Sequence, residues 1–365
     1  MKIKYYFLGS ARCFHTIDWY NSARKVLNYE IEFITDLIDG EGFNCLVKDK
    51  KEIKKLFILD KFLPKSYDVR AHRLRNLLKF IFIPIQAILL YLIISKNKNH
   101  LIYAHSTYYA FIASLVGANY VSTPQGSEVL VRLENSFLYR VFAFFAHKNA
   151  LLVTVDSFNM QHKLKKILGI QSSVIQNGVD IQNIKKLSSN QNQSRTISLL
   201  SIRGISKNYE IDKILKCKDK YLPEVHLDMC APFIDKTYYQ SLNLKEFKNI
   251  NFLGKLTKDE FQKTLLTSKV VVSIPKSDSS PRSVYESIFS GCIVIVKHNN
   301  FLKFLPEDML NRVVIANTDE DDWLRSAYEQ ALGKLNNNFF ISEQSMNLFD
   351  QNLSVQRVND ELHRK

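Results

Sequence analysis

The sequence predicts an α/β protein of two domains, each built on a parallel sheet, and three observations carry that prediction. Short β-branched runs such as residues 269–274 and 292–296 read as strands buried on both faces. The stretches between such runs carry helical apolar spacing, so successive strands are joined by crossover helices. At 365 residues the chain exceeds what one core usually fills. The expected division is 1–187 for the first domain and 195–341 for the second, with 342–365 a helix that crosses back to the first.

Taken in order, residues 1–9 read as a first strand rather than a cleavable leader, followed by a turn with the lone glycine Gly9 and then Ser10. One glycine is too few for a dinucleotide fingerprint. His15 and Asp18 fall one helical turn apart, which suits an acid/base pair and equally suits N-terminal capping of a first helix. Residues 101–105 form a strand ending in His105, and 122–128 a turn containing Gly126 and Ser127. Residues 153–157 and 174–180 complete the domain, the polar stretch 188–194 follows, and 197–203 reopens with a strand ending at Arg203, four positions before Lys207.

The segment Pro275 to Cys292 is the most informative. Asp278 and Glu286 stand eight positions apart across a loop that runs into a helix between two buried strands. Ser280 or Ser283 is expected to cap that helix, Pro281 to occupy its first turn, and Gly291 to supply a left-handed stop. The free N–H groups and dipole of such a helix end attract phosphate, with Arg282 adding a cation and Glu286 accepting from sugar hydroxyls one turn further in.

These residues resemble the signature of glycosyltransferase family 4, retaining nucleotide-sugar-dependent enzymes of GT-B fold, with two Rossmann-like domains facing across a cleft. The resemblance covers most of the chain in family order: Gly9 and its turn, the strand to His105, the turn at Gly126 and Ser127, Asn177-Gly178-Val179-Asp180, Arg203, and the paired acids. It implies that Asp278 holds the transferred sugar, Glu286 the ribose, Arg203 and Lys207 the diphosphate, and that His105 lies beside the sugar. Gly9 and Ser10 would approach the diphosphate. The first acid is Asp278 where the family usually has Glu, and Lys207 follows Arg203 more closely than in many members. A cationic pair answers the charge that gathers on a departing diphosphate, and no metal or other cofactor is then expected. The implied reaction is transfer of a sugar, UDP-linked by preference, to an acceptor hydroxyl, with a polyprenyl-diphosphate-linked glycan of surface polysaccharide (O-antigen or capsule) as the acceptor class. A nucleotide-sugar epimerase of the same fold and a non-catalytic accessory protein are the alternatives.

Composition narrows the setting. Cys13, Cys45, Cys217, Cys230 and Cys292 have no paired spacing, which argues against a disulfide framework or zinc site and for a reducing, cytoplasmic compartment. The net charge is +14, and residues 48–79 hold eleven Lys or Arg against four acids. The apolar run 80–94 that follows is fifteen residues long, short of a bilayer span and interrupted by Pro84 and Gln86. It reads as a buried helix of the first domain, and with the basic loop as a surface seated on the inner face of the cell membrane. The cations are not interleaved with aromatics in a recognisable module, so no nucleic-acid partner is expected. Asp319 to Asp322 precede helical spacing from Trp323, so dipole complementation explains them better than metal binding.

Overall fold

The computed structural model describes residues 3–27, 29–38, 43, 46, 53–62, 69–189, 194–335 and 339–364. It divides into two compact units: Met1–Asn177 with Gln351–Lys365, and Gly178–Asp350. The expected limits lay at 187 and 342; the chain passes between units at 177/178 and 350/351.

The first unit holds a seven-stranded sheet of order β3-β2-β1-β4-β5-β6-β7, every pair parallel. Its strands are β1 (Lys4–Leu8), β2 (Ile31–Thr35), β3 (Ile53–Lys55), β4 (His100–His105), β5 (Tyr120–Thr123), β6 (Leu152–Val155) and β7 (Ser173–Val174). Its helices include α1 (Phe14–Val26), α2 (Val69–Ile94), α3 (Thr107–Leu115), α4 (Phe137–His147) and α5 (Phe158–Leu168). The central strands are mostly apolar and buried on both faces because parallel strands are covered on both sides. Phe7, Phe33 and Ile31 join α1 in one core layer, while Tyr6, Leu8 and Ile34 join α2 and α3 in the other.

The second unit holds α6 (Ile181–Ser189) and a six-stranded sheet of order β10-β9-β8-β11-β12-β13, again all parallel. The strands are β8 (Ile197–Ser201), β9 (Leu227–Cys230), β10 (Ile250–Gly254), β11 (Ser268–Ser273), β12 (Ile293–Lys297) and β13 (Val313–Ala316). The crossovers are α7 (Ile211–Tyr221), α8 (Lys236–Ser241), α9 (Lys258–Leu266), α10 (Arg282–Phe289) and α11 (Glu307–Leu310), and α12 (Trp323–Leu335) follows the last strand. Asp322 does stand at the head of α12: its carbonyl accepts from the N–H groups of Arg325 and Ser326, and its carboxylate pairs with Arg325.

Two expectations about helices are corrected. The apolar run 80–94 belongs to a helix of 26 residues that passes through Pro84, which is exposed, so the missing N–H falls on the solvent side. That helix is buried along one face rather than all round. The C-terminal segment is two helices, α13 (Glu343–Phe349) and α14 (Gln351–Arg364), broken at Asp350, which forms a parallel bridge with Val179. Of these, α14 packs on α1 in the first unit through Val355 and Val358. Cys45 and much of the basic run, including Lys48, Lys50, Lys51 and Lys65, lie outside the described residues.

Candidate functional site

In each sheet the strand order reverses once, between β1 and β4 and between β8 and β11. Loops leaving the carboxyl ends of such a pair diverge to opposite faces and open a crevice, which is where open α/β sheets bind ligands. Register brings Ser201 of β8 level with Val272 of β11, so the chain leaving β8 and the chain leaving β11 emerge together.

Arg203 sits at that point in the second unit. Its Nε donates to Ser273 Oγ at 2.6 Å and its Nη2 to Asp278 Oδ2 at 2.8 Å, with the two side chains only 11% and 18% exposed. The guanidinium also lies 5.5 Å from the ring centroid of Tyr209. Lys276 N donates to the carbonyl of Asn208 (2.8 Å) and the Asn208 amide to the carbonyl of Ser277 (3.2 Å), so the two loops are stitched together. Lys207 opens the short 3-10 turn Lys207–Tyr209 and is exposed. Gly204 is forced by space: a Cβ there would lie 2.5 to 2.8 Å from the ring of Phe233.

Helix α10 departs from the expected cap. Pro281 occupies the N-cap position with no side-chain hydrogen bond, its carbonyl accepting from the N–H groups of Val284 and Tyr285. Ser280 Oγ instead donates to the Tyr285 hydroxyl (3.3 Å), and Ser283, half-buried, offers its carbonyl to Ser287. Pro281, not a serine, thus stands at the N-cap of α10. Arg282 is also turned inward: its Nε lies 3.3 Å from Glu286 Oε1, both side chains nearly buried at 7% and 11% exposure. The expected left-handed stop is present, with Gly291 at φ +82°. A Cβ at Gly291 would lie 2.4 Å from Arg195 Nη2, which donates to the carbonyl of Ser290. Arg312 Nη2 donates to the carbonyl of Gly291 itself. Two arginines therefore hold the turn into β12, and burial pushes the Cys292 thiol beside them up to about 11.

In the first unit the structure gathers Gly9, Ser10 and His105 at the reversal between β1 and β4. Gly9 is required by close approach, since a Cβ would lie 2.5 Å from Thr16 Cγ2 and 3.5 Å from His105 Cβ. Thr16 Oγ1 and His105 Nδ1 are 2.8 Å apart, and the imidazole lies near the rings of Phe7 and Trp19. Burial, with a smaller contribution from His15, lowers the His105 pKa to about 3, so the ring is neutral at physiological pH. Ser10 Oγ accepts from Arg12 N at 3.3 Å. His15 is exposed and its Nδ1 accepts from Asn177 Nδ2 at 3.3 Å. Gly126 and Ser127 follow β5, and Gln125 beside them donates to Cys13 Sγ at 3.7 Å, joining that loop to the one after β1.

A second buried network lies behind these loops. Glu128 Oε2 accepts from Thr107 N (3.0 Å), Thr107 Oγ1 (3.0 Å) and Gln125 N (2.9 Å). His147 bridges Ser122 Oγ (2.8 Å, Nδ1) and Thr107 Oγ1 (3.5 Å, Nε2), and burial lowers its pKa to about 3 as well. Ser106, immediately after His105, holds φ 101° and ψ 155°, a backbone region that residues other than glycine rarely enter. Sequence reasoning missed Ser273, Tyr209, Gly204, Ser106 and His147. Only Gly204, next to Arg203, carried a signal that could have been read. Among the described residues no group of three or more His, Cys, Asp or Glu is placed to hold a metal ion.

Comparison with solved structures decides the fold. Anabaena HepE in complex with UDP superposes with a TM-score of 0.72 at 15% identity, over 100% of both chains. The fold is GT-B. The same protein in complex with UDP-glucose gives 0.68 at 14% identity, again over both whole chains. Sucrose-phosphate synthase from Thermosynechococcus elongatus gives 0.72 at 13%, covering 100% of this chain and 99% of that one. The lipopolysaccharide outer core galactosyltransferase WaaB gives 0.66 at 11%, covering 99% of each. No protein-family model matches the chain, and no curated protein sequence does.

Proposed function

We propose that the chain is a retaining glycosyltransferase that moves a hexose from a UDP-linked donor to an acceptor hydroxyl, on a polyprenyl-diphosphate-linked glycan of surface polysaccharide such as O-antigen or capsule. The observation that carries the reading is the convergence of Arg203, Ser273, Asp278 and the start of α10 at the strand-order reversal of the second unit. The choice of UDP leans on the UDP and UDP-glucose complexes of HepE, a protein of the same fold.

In this reading the donor diphosphate takes Arg203 away from Asp278. The 2.8 Å pair with Asp278 gives the desolvated Arg203 cation a counter-charge that the diphosphate replaces. Asp278, released, then accepts from hydroxyls of the sugar. Lys207 and the N-terminal end of the α10 dipole add positive potential where the leaving group gains charge. Glu286 receives the ribose hydroxyls, and Arg282 holds its carboxylate in place from one turn back rather than meeting phosphate itself. The bond from the anomeric carbon to the diphosphate breaks, the acceptor oxygen bonds on the same face, and its proton leaves with the diphosphate. His105, neutral, orients the sugar by hydrogen bonding and carries no charge into the step.

The test is incubation with a panel of nucleotide sugars and a membrane lipid extract, followed by mass spectrometry of donor and lipids. Donor consumed together with a lipid heavier by one hexose is the expected result. Donor isomerised without acceptor would identify an epimerase, and binding without turnover an accessory protein; either would overturn the proposal.

A further inference from the structure

We infer that the outer faces of α2 and α4 form one interfacial membrane surface, which inserts its apolar side chains into the headgroup boundary of an anionic leaflet without spanning it. A helix packed on a sheet ordinarily turns its apolar stripe inward and charge outward. Helix α2 is apolar on both sides. Ile83, Leu90 and Ile94 are buried, while Leu77, Ile81, Ile88 and Leu92 on the opposite side are each more than half exposed. Over Leu77–Ile94 the mean hydropathy is 2.4, yet only 22% of the segment is buried. Helix α4 repeats the arrangement: Ala143 and Ala146 face the core, and Phe137 and Leu138 are 73% and 80% exposed, with Val141 and Phe145 following on the same side. Phe80 of α2 reaches Phe142 of α4, ring centroids 5.7 Å apart, so the two stripes are continuous. Eighteen helical residues run for roughly 27 Å, which makes this patch far larger than a scatter of surface leucines.

Charge identifies the occupant. Between Val69 and Lys148 the chain has nine Lys or Arg and only two acids, Glu128 and Glu134. Glu128 is buried in its own network and Glu134 pairs with Lys163. A second copy of the chain would set cations against cations with no acid to answer them. A leaflet supplies an apolar interior and anionic headgroups together. Lys148 already has the matching posture, its ammonium 4.5 Å and 5.4 Å from the ring centroids of Phe145 and Phe144, the stem along apolar surface and the charge at its edge. Spanning is opposed by the inner side of α2. Gln86 Nε2 donates to the carbonyl of Phe57 (2.7 Å) and its Oε1 accepts from Phe57 N (3.1 Å), while Leu90 and Ile94 sit in one core with Tyr6 and Leu8. The helix therefore lies along the sheet. This inference does not require the donor reading, although a lipid-linked acceptor would be met at the same surface.

The experiment is co-sedimentation of the full chain with vesicles of phosphatidylglycerol and phosphatidylcholine, compared with phosphatidylcholine alone, at 0.1 and about 0.5 M sodium chloride, where attraction between exposed charges is largely screened. The parent should sediment with the mixed vesicles, and much of the binding should survive high salt because apolar insertion is not screened. The combined variant Ile81→Gln, Ile88→Gln, Phe137→Ser, Leu138→Gln should need roughly tenfold more lipid or worse for half-sedimentation, with an unchanged melting temperature, since all four side chains are exposed. Binding by the variant equal to the parent's, no parent binding to either vesicle, or a lipid-free parent dimer that the variant dissolves would each overturn the inference. Nucleotide binding measured on the same samples separates this outcome from failure of the proposed function.

Discussion

Arg203 and Glu286 each have a charged partner, and that sets what their removal should do. Arg203→Ala takes away the contact proposed for the diphosphate and also strands Asp278, only 18% exposed, without its cation. Turnover should fall by about two to three orders of magnitude, the loss expected of one fixed charge in a water-poor site. Asp278→Asn is the control, because it leaves Arg203 unpaired but present; nucleotide binding should be retained there and lost in Arg203→Ala. Equal turnover in Arg203→Ala and the parent would remove the assignment. Glu286→Gln preserves size and helix propensity while removing the charge that Arg282 answers at 3.3 Å. Affinity for UDP by calorimetry should drop roughly tenfold or more, the magnitude of one charge-assisted hydrogen bond. An unchanged affinity would place the ribose elsewhere. The two acids were legible because eight-residue spacing across a loop-to-helix junction is a local pattern. That Arg282 turns inward was not, because the Pro281 N-cap sets the helix phase, and the burial of Arg282 beside Glu286 appears only once the helix is packed.

Glu128 ties two elements that lie 21 residues apart in sequence, and the start of α3 depends on it. Helix α3 begins after Ser106, whose side chain makes no capping bond and whose backbone is strained. The Thr107 N–H and hydroxyl both turn instead to Glu128 Oε2, which also takes Gln125 N. Thr107 donates to Glu128, so its oxygen is left to accept from Nε2–H of His147, whose Nδ1 then accepts from the Ser122 hydroxyl; the network itself assigns the tautomer. Glu128→Ala leaves the buried N–H and hydroxyl of Thr107 and the part-buried N–H of Gln125 unanswered, and should destabilise the protein by about 3 kcal/mol in urea unfolding. A cost under about 1 kcal/mol would mean that the loop reorganises to satisfy them. Strands such as residues 269–274 were readable because burial on both faces demands an unbroken apolar run. Caps supplied from a distant loop leave no periodic trace, and neither does a helix that runs on through Pro84 with its ring on the exposed side. For the same reason the outward apolar faces of α2 and α4 escape a reading that assumes apolar means buried.

Among the described residues of the whole molecule the buried histidines fall on one side of the division: His105 and His147 both belong to the unit formed by Met1–Asn177 and Gln351–Lys365. Parallel order in both sheets followed from the alternation of strands and helices, but the return of α14 to the first unit rests on a break at Asp350 that no helix-period pattern announces. Both histidines have folded pKa values of about 3 against an ordinary 6.5, so the unfolded chain binds more protons between those limits. The stability that these two histidines contribute by staying neutral is therefore complete above pH 6.5 and is lost as pH falls toward 3. At pH 5 each histidine forfeits roughly 2 kcal/mol relative to pH 7.5, since one pKa unit corresponds to 1.36 kcal/mol. His147→Gln removes one of the two titrations, and Gln can still bond Ser122 or Thr107. Denaturant unfolding of parent and variant at pH 7.5 and pH 5 should show the variant less stable at neutral pH, with an acid-induced loss smaller by roughly 2 kcal/mol. If parent and variant lose the same amount on acidification, His147 is not held neutral by burial, and the Ser122–His147–Thr107 network does not carry the proton arrangement assigned to it.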